Sequence, residues 1–244
     1  MRNDQPRETG MAHWKGPHSG IIASTPGLDE YRQIHLAENN PGRWPEADGI
    51  ETGIPVDRKV DGVAEVTFHS VLSPALGIKQ TKMAFQDEVN VFRRTLLYAG
   101  APNSSHWYDV GGDAPTRARA LIYLRRRPGV RAHQFRKLVT HELVPELASA
   151  GNLTELRSQT FLPWAEKTWD TPDVAHDNPR DQRYHASLIL GFDTVATRDA
   201  FFMAPETQRL SSLIAPSVSA IHAYDVTETH TFVQDGHVLP IPQK

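Results

Sequence analysis

The stretch ARALIYLRRRPGVRAHQFRKLVTHELVPEL, Ala118–Leu147, decides the fold. Its apolar run Ala120–Leu124 is bounded by arginine and proline, which reads as a buried strand. LVTHELVPEL then follows the period of an amphipathic helix. Downstream, AGNLTELRSQTFL and HASLILGFD read as two strands separated by the long loop PWAEKTWDTPDVAHDNPRDQR. A helix around Thr197–Ile214 and a last apolar strand, Ala220–Val226, complete the order β-α-β-β-α-β. That order is the split βαβ, or ferredoxin-like, unit.

The same order is legible upstream at a shift of about 123–125 residues. His18 falls over His141, Arg32 over Arg157 and Phe68 over Phe192. The first copy reads as a helix before Ile21–Ala23, a strand in PGLDEYRQIHL and the loop AENNPGRWPEADGIETGIPVDRK. A strand GVAEVTFHS, a helix around Gly77–Arg93 and a strand Thr95–Gly100 follow. Both loops carry tryptophan (Trp44, Trp164, Trp169), which points to ordered loops. Nothing precedes Thr9 that matches Leu121–Leu124, so the first strand of this copy is expected to be a stub or absent. The edge so exposed needs a cover: the linker, the C-terminal tail or a second chain as homodimer partner. GAPNSSHWYDVGGDAPT reads as the linker. The expected organisation is therefore α+β, tandem ferredoxin-like units forming a pseudo-dimeric α+β barrel, with units 1–112 and 113–244.

Composition narrows the function classes. The 244 residues carry 26 basic and 29 acidic side chains, net −3, and 39% are hydrophobic. Mean hydropathy is −0.47. No apolar stretch approaches the ~18 residues of a membrane span, and MRNDQPRETG has no signal-peptide core, so a cytoplasmic location without a membrane is expected. The balanced charge gives no reason to expect nucleic acid. There is no cysteine, which excludes disulfides, thiolate metal sites and cysteine nucleophiles. G-x-G-x-x-G, P-loop, H-E-x-x-H and G-x-S-x-G motifs are absent.

HWKGPHSGIIASTPGLDEYRQIHL, His13–Leu36, resembles the EthD-type family of α+β barrels. Trp14 and His18 fit its W-x-x-x-H, and Pro26, Gly27, Tyr31 and Gln33 fit its P-G-x-x-x-Y-x-Q. DGVAEVTFHS and FQDEVNVF look like the family's second half. The second copy keeps His141, Phe135 and RRRPG but lacks the tryptophan and the P-G-x-x-x-Y. The resemblance implies two units facing each other through their four-stranded sheets around a lumen. Related barrels include cofactor-independent monooxygenases, cyclases, isomerases and haem enzymes, so the fold selects no single reaction.

Strand alternation then nominates a site in the first half. In VAEVTFH, Ala64, Val66 and Phe68 form the apolar set, which turns Val63, Glu65, Thr67 and His69 to the lumen. His185, Ser187 and Ile189 face it in the second half, and Tyr31, Gln33 and His35 are placed on the lumen side of the first. Candidate catalytic residues are His18, His35, His69, Glu65 and Tyr31. Histidine moves protons near neutral pH, burial can raise a carboxyl into a base, and a phenol can polarise a carbonyl. Trp14, Gln33, Thr67, His141 and His185 are the candidate substrate contacts. His13 and His18, five apart, do not share a face of an α-helix, so no metal site is expected. Arg125–Arg127 read as a strand end in solvent, and His176, His230 and His237 as exposed.

The leading expectation is cofactor-free acid–base chemistry of the lyase, dehydratase, cyclase or isomerase kind. Its substrate would be a small apolar, aromatic or carbonyl-bearing metabolite. The alternatives are a non-catalytic small-molecule carrier, and an oxidoreductase that is cofactor-independent or uses haem.

Overall fold

The chain, seen in a computed structural model that describes residues 1–111, 114–150 and 152–240, orders as follows. Helix α1 (Arg7–His13), a π-helical turn (Trp14–His18) and α2 (Ser19–Ala23) form one continuous run, then β1 (Leu28–Leu36), β2 (Gly62–Phe68) and α3 (Ile78–Val91). Next come β3 (Gly100–Tyr108), β4 (Ala118–Arg126) and a second run of α4 (Ala132–Lys137), a π-helical turn (Leu138–Leu143) and α5 (Val144–Ser149). β5 (Glu155–Phe161), β6 (Ala186–Phe192), α6 (Val195–Met203), α7 (Pro205–Ile214), β7 (Val218–Gln234) and β8 (His237–Val238) complete it. The expected boundary at 112/113 lies outside the described residues.

From β4 onward the antiparallel order is β7-β4-β6-β5, so each helical run crosses back over the sheet it has just left. Alternation sorts the faces as the pleat requires. Ala120, Ile122 and Leu124 join Leu188, Leu190 and Phe192 under Phe135, Val139, Leu143, Leu147 and Ile214. Each of the valine, leucine, isoleucine and phenylalanine side chains contributes about 1.5–3 kcal/mol when fully buried. Leu121, Tyr123 and Ile189 face the other way, into a second cluster with Ile34, Leu36, Tyr184 and Tyr224.

Two separate four-stranded sheets are not what forms. The described strands make one continuous curled sheet, β2-β1-β7-β4-β6-β5-β3, with β8 on β7. The reason is the length of β7. Its first part pairs β4 up to Val226, and its second part carries on to pair β1. At the opposite end β3 pairs the outer edge of β5. Thr95–Gly100 was expected as the last strand of the first half, but the strand lies in Gly100–Tyr108, within the expected linker. The Ser-rich segment satisfies its backbone by pairing with β5. Around Thr95 only an isolated Arg94–Ala175 bridge forms.

The two pairings match each other. Arg32 lies opposite Thr231 and Arg157 opposite Trp107; Gln33 lies opposite His230 and Ser158 opposite His106. Residues 1–6 run as coil, with the Met1 amine held by Asp61 at 2.5 Å and the Arg2 N–H donating to Val91 O. The helix expected over Thr197–Ile214 is two helices. Pro205 supplies no N–H and opens α7 as its first residue.

Two of the close-approach glycines bear on the first half. Gly27, after Pro26, has φ +77°, and a Cβ there would sit 2.7 Å from Ser73 Cβ. At Gly62 a Cβ would fall 2.3 Å from the Trp14 ring and 2.9 Å from Ile34 O. Thus β2 passes directly against the indole. The loop between β1 and β2 is ordered. Trp44 is buried and donates to Ser211 Oγ at 2.9 Å, and Glu51 exchanges backbone bonds with Ser219 and Ile221.

Candidate functional site

Pro17 lies inside the first helical run and removes an N–H there, and the chain widens into a π turn. In the π winding residues five apart share a face, which overturns the expectation for His13 and His18. Both donate to the same carboxylate on α3: His13 Nε2 to Asp87 Oδ1 at 2.8 Å, and His18 Nδ1 to Asp87 Oδ2 at 2.9 Å. His18 is buried mid-helix and meets Phe92 edge-on at 5.5 Å. Burial pushes its pKa down against the pull of Asp87. As a neutral ring with Nδ1–H committed to Asp87, His18 carries its lone pair on Nε2.

Tyr31, Gln33 and His35 lie on the helix-facing side of β1, not on the lumen side. Gln33 Nε2 donates to Trp14 O at 2.8 Å and to Tyr31 Oη at 2.7 Å, which leaves Oε1 to accept from His35 Nε2 at 3.1 Å. Trp14 stacks on His35 at 4.8 Å rather than on His18. Burial, with His230 second, pushes His35 down to about 4, and burial pushes Tyr31 above the usual phenol range. Trp14, Tyr31, Gln33 and His35 thus fill this half between helix and sheet. The sign of the error has a physical cause: β1 buries both faces, so polarity did not mark the lumen.

The inner face of β1 instead presents Arg32. Glu65 on β2 faces inward as expected, and its carboxylate meets Arg32 at 3.1 Å and Arg157 of β5 at 2.5 Å. Both guanidiniums lie over Trp107, at 4.9 and 3.8 Å. These side chains span the gap between the two ends of the curled sheet. Burial pushes Glu65 up to about 7, with Arg32 pulling down and Glu155 and Glu30 adding to the rise. Deeper in, His222 Nε2 donates to Glu51 at 3.0 Å and Tyr184 Oη donates to His222 Nδ1 at 2.5 Å. Arg125 is buried here and pairs with Glu51, while Arg127 donates to Ala215, Gly49 and Val218 carbonyls. The strand end is therefore packed, not solvated.

The remaining candidates are dispersed. His69 is more than half exposed and sits 3.2 Å from Asp29, and Thr67 is exposed. His185 accepts from the Arg126 N–H and packs on Phe135, on the helix side, and burial pushes it down to about 4. His230, expected in solvent, is largely covered by His35 and Phe232.

An open recess of about 600 Å³ lies in the second half. It runs between the π turn Leu138–Leu143, which carries Thr140 and His141, and the helix-facing side of β3 and β5. His106 and Tyr108 from β3, Thr160 from β5 and Arg136 from α4 complete its walls, with Phe161 at its rim. His106 opposes Ser158 as His230 opposes Gln33, and the expected shift sets His141 over His18. Trp14 fills the space between helix and β1 in the first half, whereas no tryptophan lines this recess. Its volume suits a two- or three-ring ligand. A larger recess of about 700 Å³ beside α6 contains Arg43, already bound to Asp225, and none of the histidines.

Sequence reasoning missed Asp87, Glu51, His222 and Tyr184 as partners. His222 and Tyr224 alternate on one face of IHAYDV, and FQDEVNVF had already drawn attention, so part of this signal was present. Glu51 and Tyr184 lie in loops, where no periodicity exists to find them.

No family model matches the chain, and no curated protein matches it either. Among solved structures it is similar to an anthrone oxidase-like protein, with TM-score 0.57 and 9% identity over 91% of this chain and 87% of that one. It is also similar to the "putative monooxygenase" of Lactobacillus acidophilus NCFM, with TM-score 0.41 and 11% identity over 96% and 89%. The first likeness supports a related α+β-barrel-type fold. Among the described residues no helix is long and apolar enough to cross a membrane.

Proposed function

We propose that the chain is a tandem EthD-type protein whose open second-half recess binds a small aromatic, carbonyl-bearing metabolite. His141 and His106 move the proton there, and Arg136 faces the developing negative charge. The observation that carries this reading is the recess of about 600 Å³ with two imidazoles and a guanidinium on its walls. A carbon acid beside a carbonyl loses its proton to one imidazole. The enolate is held by cation and hydroxyl donors, and the second imidazole returns a proton elsewhere. That sequence is an isomerisation, cyclisation or dehydration and needs no cofactor. The first half, filled by Trp14, serves as the packed counterpart that supports the sheet.

A second reading shares the first step. The name of the anthrone oxidase-like structure points to an acidic ring methylene as reacting carbon. After proton removal, dioxygen would accept the electrons, converting the methylene to a carbonyl with release of water. The discriminating experiment supplies anthrone-like and polyketide-like ketones with and without dioxygen, and monitors substrate loss and oxygen uptake. His141→Ala and His106→Ala should each lower turnover by about 10²–10⁴-fold, the usual worth of a positioned acid or base. Oxygen-independent turnover selects the first reading and stoichiometric oxygen uptake the second. Turnover unchanged in both variants refutes the site.

A further inference from the structure

The continuation of β7 onto β1 assembles a group that neither half holds alone. Opposite His35 lies Glu228, and opposite Gln33, one step along the same face, lies His230. One nitrogen of each imidazole and one carboxylate oxygen of Glu228 lie within 4.8 Å of one another. The rings meet edge to face at 4.8 Å, and His230 Nε2 is 2.7 Å from Glu228 Oε2.

The surroundings of His35 are those of a positioned ligand. Gln33 gives both amide hydrogens to Trp14 O and Tyr31 Oη, so its oxygen must accept from His35 Nε2–H. The tautomer is thereby set, Nδ1 keeps its lone pair, and Trp14 stacking holds the ring plane. Buried partners that fix a ligand imidazole in this way are the usual second layer of a metal site. His35 is buried, whereas Glu228 is 57% exposed and free to swing inward.

We propose that His35, Glu228 and His230 bind a divalent transition-metal ion of the zinc type. Two imidazoles and one carboxylate suit zinc and leave a position for water. Zn–N and Zn–O bonds of about 2.0–2.2 Å require ligand atoms now within 4.8 Å of one another to draw together, Glu228 by a rotamer change and the imidazoles by small ring shifts. One group opposes the ion. Lys15 Nζ lies 3.8 Å from Glu228 Oε2 and has to move away when the ion enters.

The test is a calorimetric titration of the untagged, chelator-treated full chain with Zn²⁺ alone, followed by Co²⁺ with its visible spectrum. One equivalent should bind, with a Co²⁺ spectrum of low symmetry. Glu228→Gln, at an exposed position that leaves folding intact, and His230→Ala should each weaken binding at least about tenfold. Lys15→Met should strengthen it, and His237→Ala, at a nearby exposed histidine, should leave it unchanged. Absence of Zn²⁺ binding in the unaltered chain overturns the proposal. So does binding that survives both Glu228→Gln and His230→Ala, or that falls equally in His237→Ala.

Discussion

Trp14→Ala removes the side chain that distinguishes the filled half from the open one. The indole is 3% exposed, stacked on His35 at 4.8 Å and met edge-on by Phe92 at 6.1 Å. Its walls have little freedom to collapse. On one side β1 and β2 are paired, and on the other the π turn is tied to α3 through Asp87. Truncation therefore leaves a void of about 130 Å³, and at about 24 cal/mol per Å³ the void costs about 3 kcal/mol. Lost transfer energy carries the total to the upper part of the 3–5 kcal/mol range for such changes. Urea unfolding followed by far-UV circular dichroism reads this as a fall in midpoint at constant slope. Indole added to the variant should occupy the void and restore about 2.7 kcal/mol at a hundred times its Kd, while doing nothing to the unaltered protein. A loss below about 1 kcal/mol, or a variant indifferent to indole, would mean that Trp14 does not plug the first half and that the comparison of the two halves is mistaken.

Gly62→Ala drives a methyl into the Trp14 ring and Ile34 O, and should cost about 1–3 kcal/mol in the same assay; a neutral result refutes the close approach. His222 is held down to about 4 from 6.5, so the folded state binds fewer protons than the unfolded chain. Stability that is whole above pH 6.5 is lost as pH falls to about 4, so the stability of His222→Gln should depend less on pH across that window. Glu65 works in the opposite direction, raised from 4.5 to about 7. Its ionisation costs the fold about 3 kcal/mol as pH rises from 4.5 through 7, so Glu65→Gln should gain relative stability over that interval. Parallel pH profiles for variant and unaltered protein, measured by urea midpoint, would refute either assignment.

Much of the architecture was legible because hydrophobic period survives in a single sequence. ARALIYLRR, HASLILGFD and GVAEVTFHS are strands. On β2 the Val63 and Glu65 face points inward, but the apolar Ala64 and Val66 opposite are exposed, so burial does not follow the apolar alternation there. β1 was turned over because both of its faces are buried, and alternation then carries no direction. Gly100–Tyr108 reads as a linker because Gly, Pro and Ser are turn residues by composition, yet it is a strand. The edge of β5 recruits it all the same, through backbone pairing that composition does not report.

The amino-acid sequence alone determined the main strands and helices and their order along the chain. These are local patterns, written in periods of 2 and 3.6. Tertiary structure alone decided which half is open. Trp14 packs against Gly62 in the first half, and about 600 Å³ lies open beside His141 in the second. It also decided that His35, Glu228 and His230 meet. Strand pairing joins residues almost two hundred positions apart, and such contacts depend on where the sheet curls rather than on any neighbour in the chain.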